Sequence, residues 1–328
     1  MAPRNRTLKL SAREKEALSK RLIVLKDKTP PVPLENVIIN QDMVQACLNL
    51  PKAFADLLIF DPPYNLSKSF NGKKFRKQGI ENYAADLDRW IQAALPCLKP
   101  TASIYICGDW LTSTSIHLVA SKYFKIRNRI TWEREKGRGA LSNWKNCSED
   151  IWFCTFSDRY TFNAAAVKLK RRVIAPYRDE NKKPKDWEDT AAGKYRLTHP
   201  SNLWSDITVP FWSMPENTTH PTQKPEKLIA KLILASTKKN DFIFDPFLGS
   251  GTTAVTAKKL ERRFIGIEQD LTYCCLAQKR LLQAEENASI QGYSQGVFWE
   301  RNSGTDQKKP KAKIRKIKES PLLDFLEG

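Results

Sequence analysis

A mostly parallel β-sheet with helices on both faces is the fold this sequence predicts, and three observations predict it. Short apolar runs of strand length recur along the chain with helical spacing between them. Strands that alternate with helices pair in parallel, because a crossover returns the chain to the same end of the sheet. The 328 residues are 41% hydrophobic and 10% aromatic, enough for one large domain or two modest ones and incompatible with a wholly disordered chain.

The elements follow in order. Residues 1–35 form a basic N-terminal segment, which Pro30, Pro31 and Pro33 separate from a first strand-like run, Val37-Ile38-Ile39. A helical pattern covers 43–50. The second strand, Leu57-Leu58-Ile59-Phe60, runs into an acid, and helical spacing returns over 87–98. Further strands are expected at 103–107, 126–132 and 151–156, completing a half that extends from 36 to 163. From about 164 to 213 periodicity is lost and Lys, Trp and Pro become frequent, which marks an insertion, bounded here as 164–215. Alternation resumes in a second half, 216–300, with helices at 225–236, 252–260 and 272–286 and strands at 242–245 and 264–268. The tail, 301–328, carries Pro310 and no apolar periodicity, and reads as a flexible arm.

Charge narrows the classes of partner. Lys and Arg number 55 against 36 Asp and Glu, a net charge of +19, which points to a polyanion and above all to nucleic acid. The surplus is concentrated at the ends: residues 1–30 hold nine basic and three acidic residues, and 301–318 hold eight and one. Such an arm is either a solubilising tail or a phosphate clamp that adds affinity without sequence preference. Seven scattered cysteines at neither zinc nor redox spacing read as buried free thiols of a cytoplasmic protein, nucleoid-associated if it binds DNA. No apolar run approaches the roughly 18 residues of a membrane span. With three histidines and no clustered ligands, no catalytic metal is expected.

Two strand ends carry chemistry. Asp241-Phe-Ile-Phe-Asp245-Pro246-Phe247-Leu248-Gly249-Ser250-Gly251-Thr252-Thr253 is a strand, a glycine turn and a helix start, where the backbone can approach a ligand closely. It lacks the Gly-Lys-Ser/Thr of a phosphate loop and the third glycine of the dinucleotide fingerprint. Glu268 follows Asp245 by 23 residues at the end of the next strand, where an acid accepts both hydroxyls of a ribose. Asp245 suits the ammonium of a zwitterion, so the pair hints at a nucleoside that carries an amino acid.

In Asp61-Pro62-Pro63-Tyr64, two prolines fix the backbone and remove two donors. The Asp61 carboxylate and the Pro62 carbonyl are then acceptors for one NH2 group, and Tyr64 offers a face on which a planar base stacks. An aromatic amine is a poor nucleophile because its lone pair is delocalised into the ring. Holding both its hydrogens in acceptors favours a tetrahedral nitrogen with that pair free for attack.

These residues carry a family resemblance. Asp61-Pro62-Pro63-Tyr64 resembles the catalytic motif of the DNA amino-methyltransferases, and Asp245-Pro-Phe-Leu-Gly-Ser-Gly-Thr-Thr resembles their S-adenosylmethionine motif. His220-Pro-Thr222-Gln-Lys224-Pro225 is similar to the segment before the latter. Catalytic motif first and cofactor motif last is the order of the circularly permuted β-class, and the likeness covers about 36–286. It implies a doubly wound, Rossmann-like sheet of seven strands, one of them reversed, with an inserted target-recognition region. It implies methyl transfer from S-adenosylmethionine to adenine N6 in a short double-stranded DNA motif, with cytosine N4 as the alternative, since Asp61 at the first motif position leans to adenine.

By position, the resemblance assigns the cofactor to Asp61, Asp245, Phe247, Gly249, Gly251, Thr252 and Glu268, with Thr222 and Lys224 near its amino-acid end. Asp42 matches an acidic position against the adenine, although a helix-capping Asp would look identical. A restriction endonuclease that shares the site is compatible with the family, as is an orphan methylase. A catalytically silent DNA-binding protein of this fold is expected to lose Asp61 or Tyr64, and both are present.

DNA contacts are expected from two basic stretches. Lys73, Lys74 and Arg76 lie between Asn65 and Gly79, read as a mobile loop beside a flipped base. Lys168, Lys170, Arg171 and Arg172 open an insertion where basic residues are interleaved with Tyr177 and Trp187, a composition suited to phosphate and base-edge contacts. Trp132 and Trp144 are expected to pack inside the protein.

Overall fold

The structure, a computed structural model, describes residues 5–25, 34–70, 73–134, 142–174, 177–190 and 193–300, and of 68–70 and 73–75 the backbone alone. The prolines at 30–33 and the basic tail 301–328 lie outside the described residues.

In chain order the elements are α1 (Ala12–Ser19), β1 (Val37–Asn40), α2 (Met43–Cys47), β2 (Ala55–Phe60), β3 (Lys68–Phe70), β4 (Lys73–Phe75), α3 (Ile80–Ala94), β5 (Leu98–Gly108) and α4 (Ser113–Tyr123). Next come β6 (Lys125–Glu133), β7 (Ser148–Thr155), β8 (Leu169–Arg172), β9 (Glu188–Thr190), β10 (Gly193–Thr198) and β11 (Leu203–Trp204). The chain continues with α5 (Glu226–Ser236), β12 (Phe242–Asp245), α6 (Thr252–Lys259), β13 (Arg263–Glu268), α7 (Leu271–Glu286), β14 (Tyr293–Ser294) and β15 (Val297–Trp299).

Side-chain alternation along the strands decides the layers. Leu58, Phe60, Ile104, Ile106, Phe244 and Ile265 point to one face, where they pack with Leu87 and Ile91 of α3 and Ile116 of α4. Their neighbours Leu57, Ile59, Tyr105, Cys107, Ile243 and Phe264 point to the other, against Leu228 and Ile233 of α5, Val255 of α6 and Cys274 of α7. Both faces are buried, so the strands read as continuous apolar runs rather than as a polar–apolar alternation.

The main sheet runs β1-β13-β12-β2-β5-β7-β6-β11. Every neighbouring pair is parallel except those made by β7, which lies antiparallel to both β5 and β6. Seven strands were expected and eight are present: the two-residue β11, contributed by the end of the insertion, adds to β6. From β2 the crossover through α3 leads one way along the sheet, and from β12 the crossover through α6 leads the other. The tips of β2 and β12 therefore flank the switch point where doubly wound sheets bind ligands.

The insertion is not irregular. β8, β9 and β10 form an antiparallel sheet that β15 and β14 extend, so Val297–Trp299, which the sequence division grouped with the second half, pairs with β8, and Tyr293–Ser294 pairs with β15. Leu169 and Phe298 of this sheet, with Val167 in the turn before β8, pack on Ala230 and Leu234 of α5.

The N-terminal segment is likewise built in. Leu8 bridges Thr218, Ile23 bridges Ile39, and Lys15 donates to the Thr272 hydroxyl at 2.8 Å. Six of the seven cysteines are buried and Cys147 is exposed. Trp132 is buried and donates to the Ile207 carbonyl. Trp144, expected to pack, is 94% exposed, because it sits in the connection between β6 and β7 and not in an element. No helix among the described residues is long and apolar enough to cross a membrane.

Candidate functional site

Four parallel strands end at one cleft of about 220 Å³, lined by Asp42 beyond β1, Asp61 to Tyr64 beyond β2, Phe247 and Gly249 beyond β12, and Glu268 at the tip of β13. Thr222 and Lys224 line it from the segment before α5. A smaller adjoining cavity is lined by Asp245, Thr252 and Thr253 and shares Asp61, Thr222, Lys224 and Gly249 with the cleft.

The glycine turn is shaped by close approach. Gly249 and Gly251 have φ of +53° and +85°, a region that disfavours a side chain. A Cβ on Gly249 would stand 3.0 Å from the His220 ring, and one on Gly251 would stand 2.4 Å from the Cβ of Ala277 on α7. The turn therefore brings the start of α6 against α7, and its N–H groups find partners close by. One of them, Gly249 N, donates to Glu268 Oε2 at 3.0 Å, and Asp270 N donates to Oε1 at 2.7 Å. Burial holds the Glu268 carboxyl above its usual range. Asp245 accepts from Phe247 N at 3.0 Å, and burial pushes its carboxyl up to about 7. Each is a desolvated carboxyl that a cation or hydroxyl donors would relieve.

Asp42 caps α2, accepting from Val44 N at 3.0 Å and Gln45 N at 3.2 Å, and lines the cleft as well. The two readings of this residue are compatible. The Phe247 ring stands edge-on to Phe60 and Trp90 with centroids 5.1 and 5.4 Å away. Thr252 Oγ1 donates to the Lys224 carbonyl at 3.0 Å, tying the start of α6 to the segment before α5.

At the tip of β2 the Pro63 carbonyl accepts from the Tyr83 hydroxyl at 3.1 Å, which fixes the double-proline turn. Lys224 Nζ lies 2.9 and 2.8 Å from the two oxygens of Asp61 and 3.0 Å from the Tyr64 hydroxyl. Burial alone would lower the Lys224 pKa, but the Asp61 and Glu149 carboxylates beside it outweigh burial and raise it. Burial, with the same two carboxylates, holds the Tyr64 phenol well above its ordinary value.

Among the described side chains expected to touch DNA, none lines this cleft. β3 and β4 form a two-stranded hairpin where a loop was expected, with Arg76 exposed just beyond it; the side chains of Lys73 and Lys74 lie outside the described residues. Asn65 staples the base of that hairpin: its side chain donates to the Gln78 carbonyl at 2.9 Å and accepts from Gln78 N at 2.7 Å. Lys168, Lys170, Arg171 and Arg172 lie at or on β8 of the second sheet. Lys170 packs over the Trp299 ring, Arg171 is 3.4 Å from Glu300, and Arg172 is exposed. Trp187, read as interleaved with the basic run, is 5% exposed and donates to the Tyr177 carbonyl.

Sequence reasoning missed Trp90, Arg134 and Glu149. Trp90 sits on α3 and lines the cleft. Glu149 lies within reach of Tyr64 and Lys224 and is ion-paired with Arg134. Nothing in a strand-opening Ser-Glu-Asp distinguishes such a residue from a surface acid.

Comparison with known proteins agrees with this architecture. The chain is 31% identical over 282 residues to the DNA adenine methyltransferase YhdJ of Escherichia coli, covering 81% of this chain and 90% of that one. It is 32% identical over 264 residues to the type II methyltransferase M2.LlaDCHI of Lactococcus lactis, covering 75% and 88%. Among solved structures, the PvuII DNA methyltransferase (cytosine-N4-specific) superposes with a TM-score of 0.53 at 14% identity, over 77% of this chain and 92% of that one. A putative DNA modification methylase of Thermus thermophilus, complexed with S-adenosyl-L-methionine, gives 0.51 at 20% identity, over 81% and 98%. These two share the fold. The DNA methylase family of N6 and N4 amino-methyltransferases matches residues 55–279, from β2 through most of α7, and it is to this family that the chain belongs.

Proposed function

We propose that this chain transfers a methyl group from S-adenosylmethionine to the exocyclic N6 of adenine in a short double-stranded DNA motif, as the modification enzyme of a restriction–modification system. The observation that carries the reading is the position of Asp61, whose carboxylate borders both cavities, one ending at Asp245 and the other opening past Tyr64.

The buried carboxyls fit the cofactor. Asp245 and Glu268 are held above their usual ranges by burial, a cost that an ammonium and ribose hydroxyls would offset. Glu268 accepts from the backbone of Gly249, Gln269 and Asp270, which fixes its carboxylate at the cleft where a ribose would lie. Asp42 borders the adenine end, Phe247 and Gly249 wall the middle, and Thr222, Gly251 and Thr252 shape the methionine end. S-adenosylmethionine, when bound, supplies a methyl group on a sulfonium, which leaves as a neutral thioether.

The target base has to leave the duplex to reach a strand-end pocket. Asp61 and the Pro62 carbonyl then take the two amine hydrogens, Pro63 keeps the turn rigid, and Tyr64 packs beside the base. With the cofactor bound, the amine nitrogen held this way would be free to accept its methyl group, and Asp61 or solvent would take the proton that the amine loses. Asp at the first position of the turn favours adenine. Lys73, Lys74 and Arg76 beside the turn, and Lys168, Lys170, Arg171 and Arg172 in a target-recognition segment over 164–215, serve the DNA backbone. A restriction endonuclease sharing the same site is the expected partner.

Single-molecule sequencing of genomic DNA from a methylation-free host expressing the chain tests this. N6-methyladenine at one short motif supports the reading. N4-methylcytosine would retain the mechanism and overturn the base, and unmodified DNA would overturn the substrate.

A further inference from the structure

Around Asp61 there are more donors than an acceptor awaiting an amine should have. Lys224 Nζ contacts both carboxylate oxygens, and the Tyr64 hydroxyl lies 3.1 Å from Oδ1. An incoming amine meets a carboxylate already engaged by an ammonium and a phenol. Something has to take those two donors while the amine is bound, since Lys224 is buried and Tyr64 half-buried, and leaving either donor unmatched is costly.

Glu149 is placed to do so. It is 5% exposed on β7, with Oε1 fixed by Arg134 and Oε2 directed at the same two donors: 3.2 Å from the Tyr64 hydroxyl and 3.4 Å from Lys224 Nζ. A phenol has one proton and can donate it to Asp61 or to Glu149, not to both. Lys224 stands within 2.9 Å of Asp61 and only a few tenths of an ångström too far from Glu149 for a hydrogen bond. We infer that Glu149 is a positioning residue that draws Lys224 and the Tyr64 proton away from Asp61 when the target amine arrives, so that Asp61 can accept the amine. The inference rests on the proposed role of Asp61.

The exchange conserves charge. Lys224 remains an ammonium between two carboxylates and moves from one toward the other, and Tyr64 rotates its O–H through the same arc. Arg134 sets the orientation by holding Oε1, leaving Oε2 as the receiving atom.

The test is Glu149→Gln, which keeps the shape and removes the charge, read on the full chain by single-turnover methyl transfer to duplex genomic DNA and by calorimetric binding of S-adenosylmethionine. The transfer rate should fall about 100-fold, the loss typical of one misplaced electrostatic group, with cofactor affinity changed less than about threefold. Glu149→Asp keeps the charge with a shorter reach and should recover about tenfold of that loss. In a Tyr64→Phe background, where the shared proton is gone, Glu149→Gln should cost less than it does in the wild type.

Undiminished transfer in Glu149→Gln overturns the inference, as does a rate loss matched by an equal loss of cofactor affinity, which marks a structural role. Should Glu149→Gln fail to fold, Glu149→Asp decides: a wild-type rate there overturns the inference too. A wild-type chain that methylates no base in DNA overturns the proposed function itself, whatever the variants do.

Discussion

Lys224→Met is the perturbation whose size follows most directly from the geometry. Methionine keeps the apolar stem and removes the ammonium, leaving the Asp61 and Glu149 carboxylates facing each other across Tyr64. The lysine side chain is 8% exposed and its partners 22% and 5%. Removing one member of a buried pair costs about 3–5 kcal/mol, because the survivor stays charged and buried. Two features favour the lower end: Asp61 keeps some access to water, and Arg134 still neutralises Glu149. A loss of about 3 kcal/mol corresponds to a fall in Tm of about 4 °C for a chain of 328 residues.

The pH of the measurement matters. The folded pKa of Lys224 is raised, so its stabilisation is fully present below the unfolded value of about 10.4 and is lost as pH rises through the folded value. Differential scanning calorimetry at pH 7.5 therefore reads the whole effect. Adding Asp61→Asn to Lys224→Met should restore part of the loss, since one of the two uncompensated charges disappears with it. A Tm within about 1 °C of wild type for the single variant, or strict additivity in the double, would refute the bridging role of the ammonium.

Asp61→Ala should abolish methyl transfer while leaving S-adenosylmethionine binding largely intact by calorimetry; an active variant would sink the proposed chemistry. Asp245, pushed up to about 7 from an ordinary 3.8, destabilises the free protein increasingly as pH rises across that interval. Affinity for a ligand that presents an ammonium should rise with pH over the same interval and level off above 7, and a flat profile would remove Asp245 from that contact. Gly251→Ala combines a φ of +85° with a Cβ placed 2.4 Å from Ala277, so it should lower stability by about 2–4 kcal/mol by urea denaturation; a loss under about 1 kcal/mol would mean that α7 yields easily.

Most of the sheet was legible because both its faces are buried. Runs such as Leu57-Leu58-Ile59-Phe60 have no polar face to confuse with a helix, and each main-sheet strand read from the sequence is present within a few residues. The short N-terminal helix α1 was missed although its signal was available: Ser11 and Glu14 form a reciprocal capping box. The second sheet was not legible. β8 is Leu-Lys-Arg-Arg, too basic and too short to alternate, and it is completed by Val297–Trp299 from the far end of the chain, a pairing that no local pattern records.

The site was legible only where the chain supplies chemistry at the end of a parallel strand. Asp42, Asp61, Asp245 and Glu268 all follow or close such strands, and a doubly wound sheet gathers those ends at one cleft. Glu149 breaks the rule. It lies near the start of its strand, and in a parallel strand it would sit at the opposite edge of the sheet, far from any ligand. Because β7 is reversed, its first residues lie beside the last residues of β5, with Asp150 paired to Gly108, and Glu149 arrives at the cleft from the wrong end of its own strand. The reversal that looks like a topological peculiarity is thus what delivers a third charged group to Asp61 and Lys224, beside the Tyr64 phenol. A strand-by-strand reading cannot find such a residue until the direction of every strand is known.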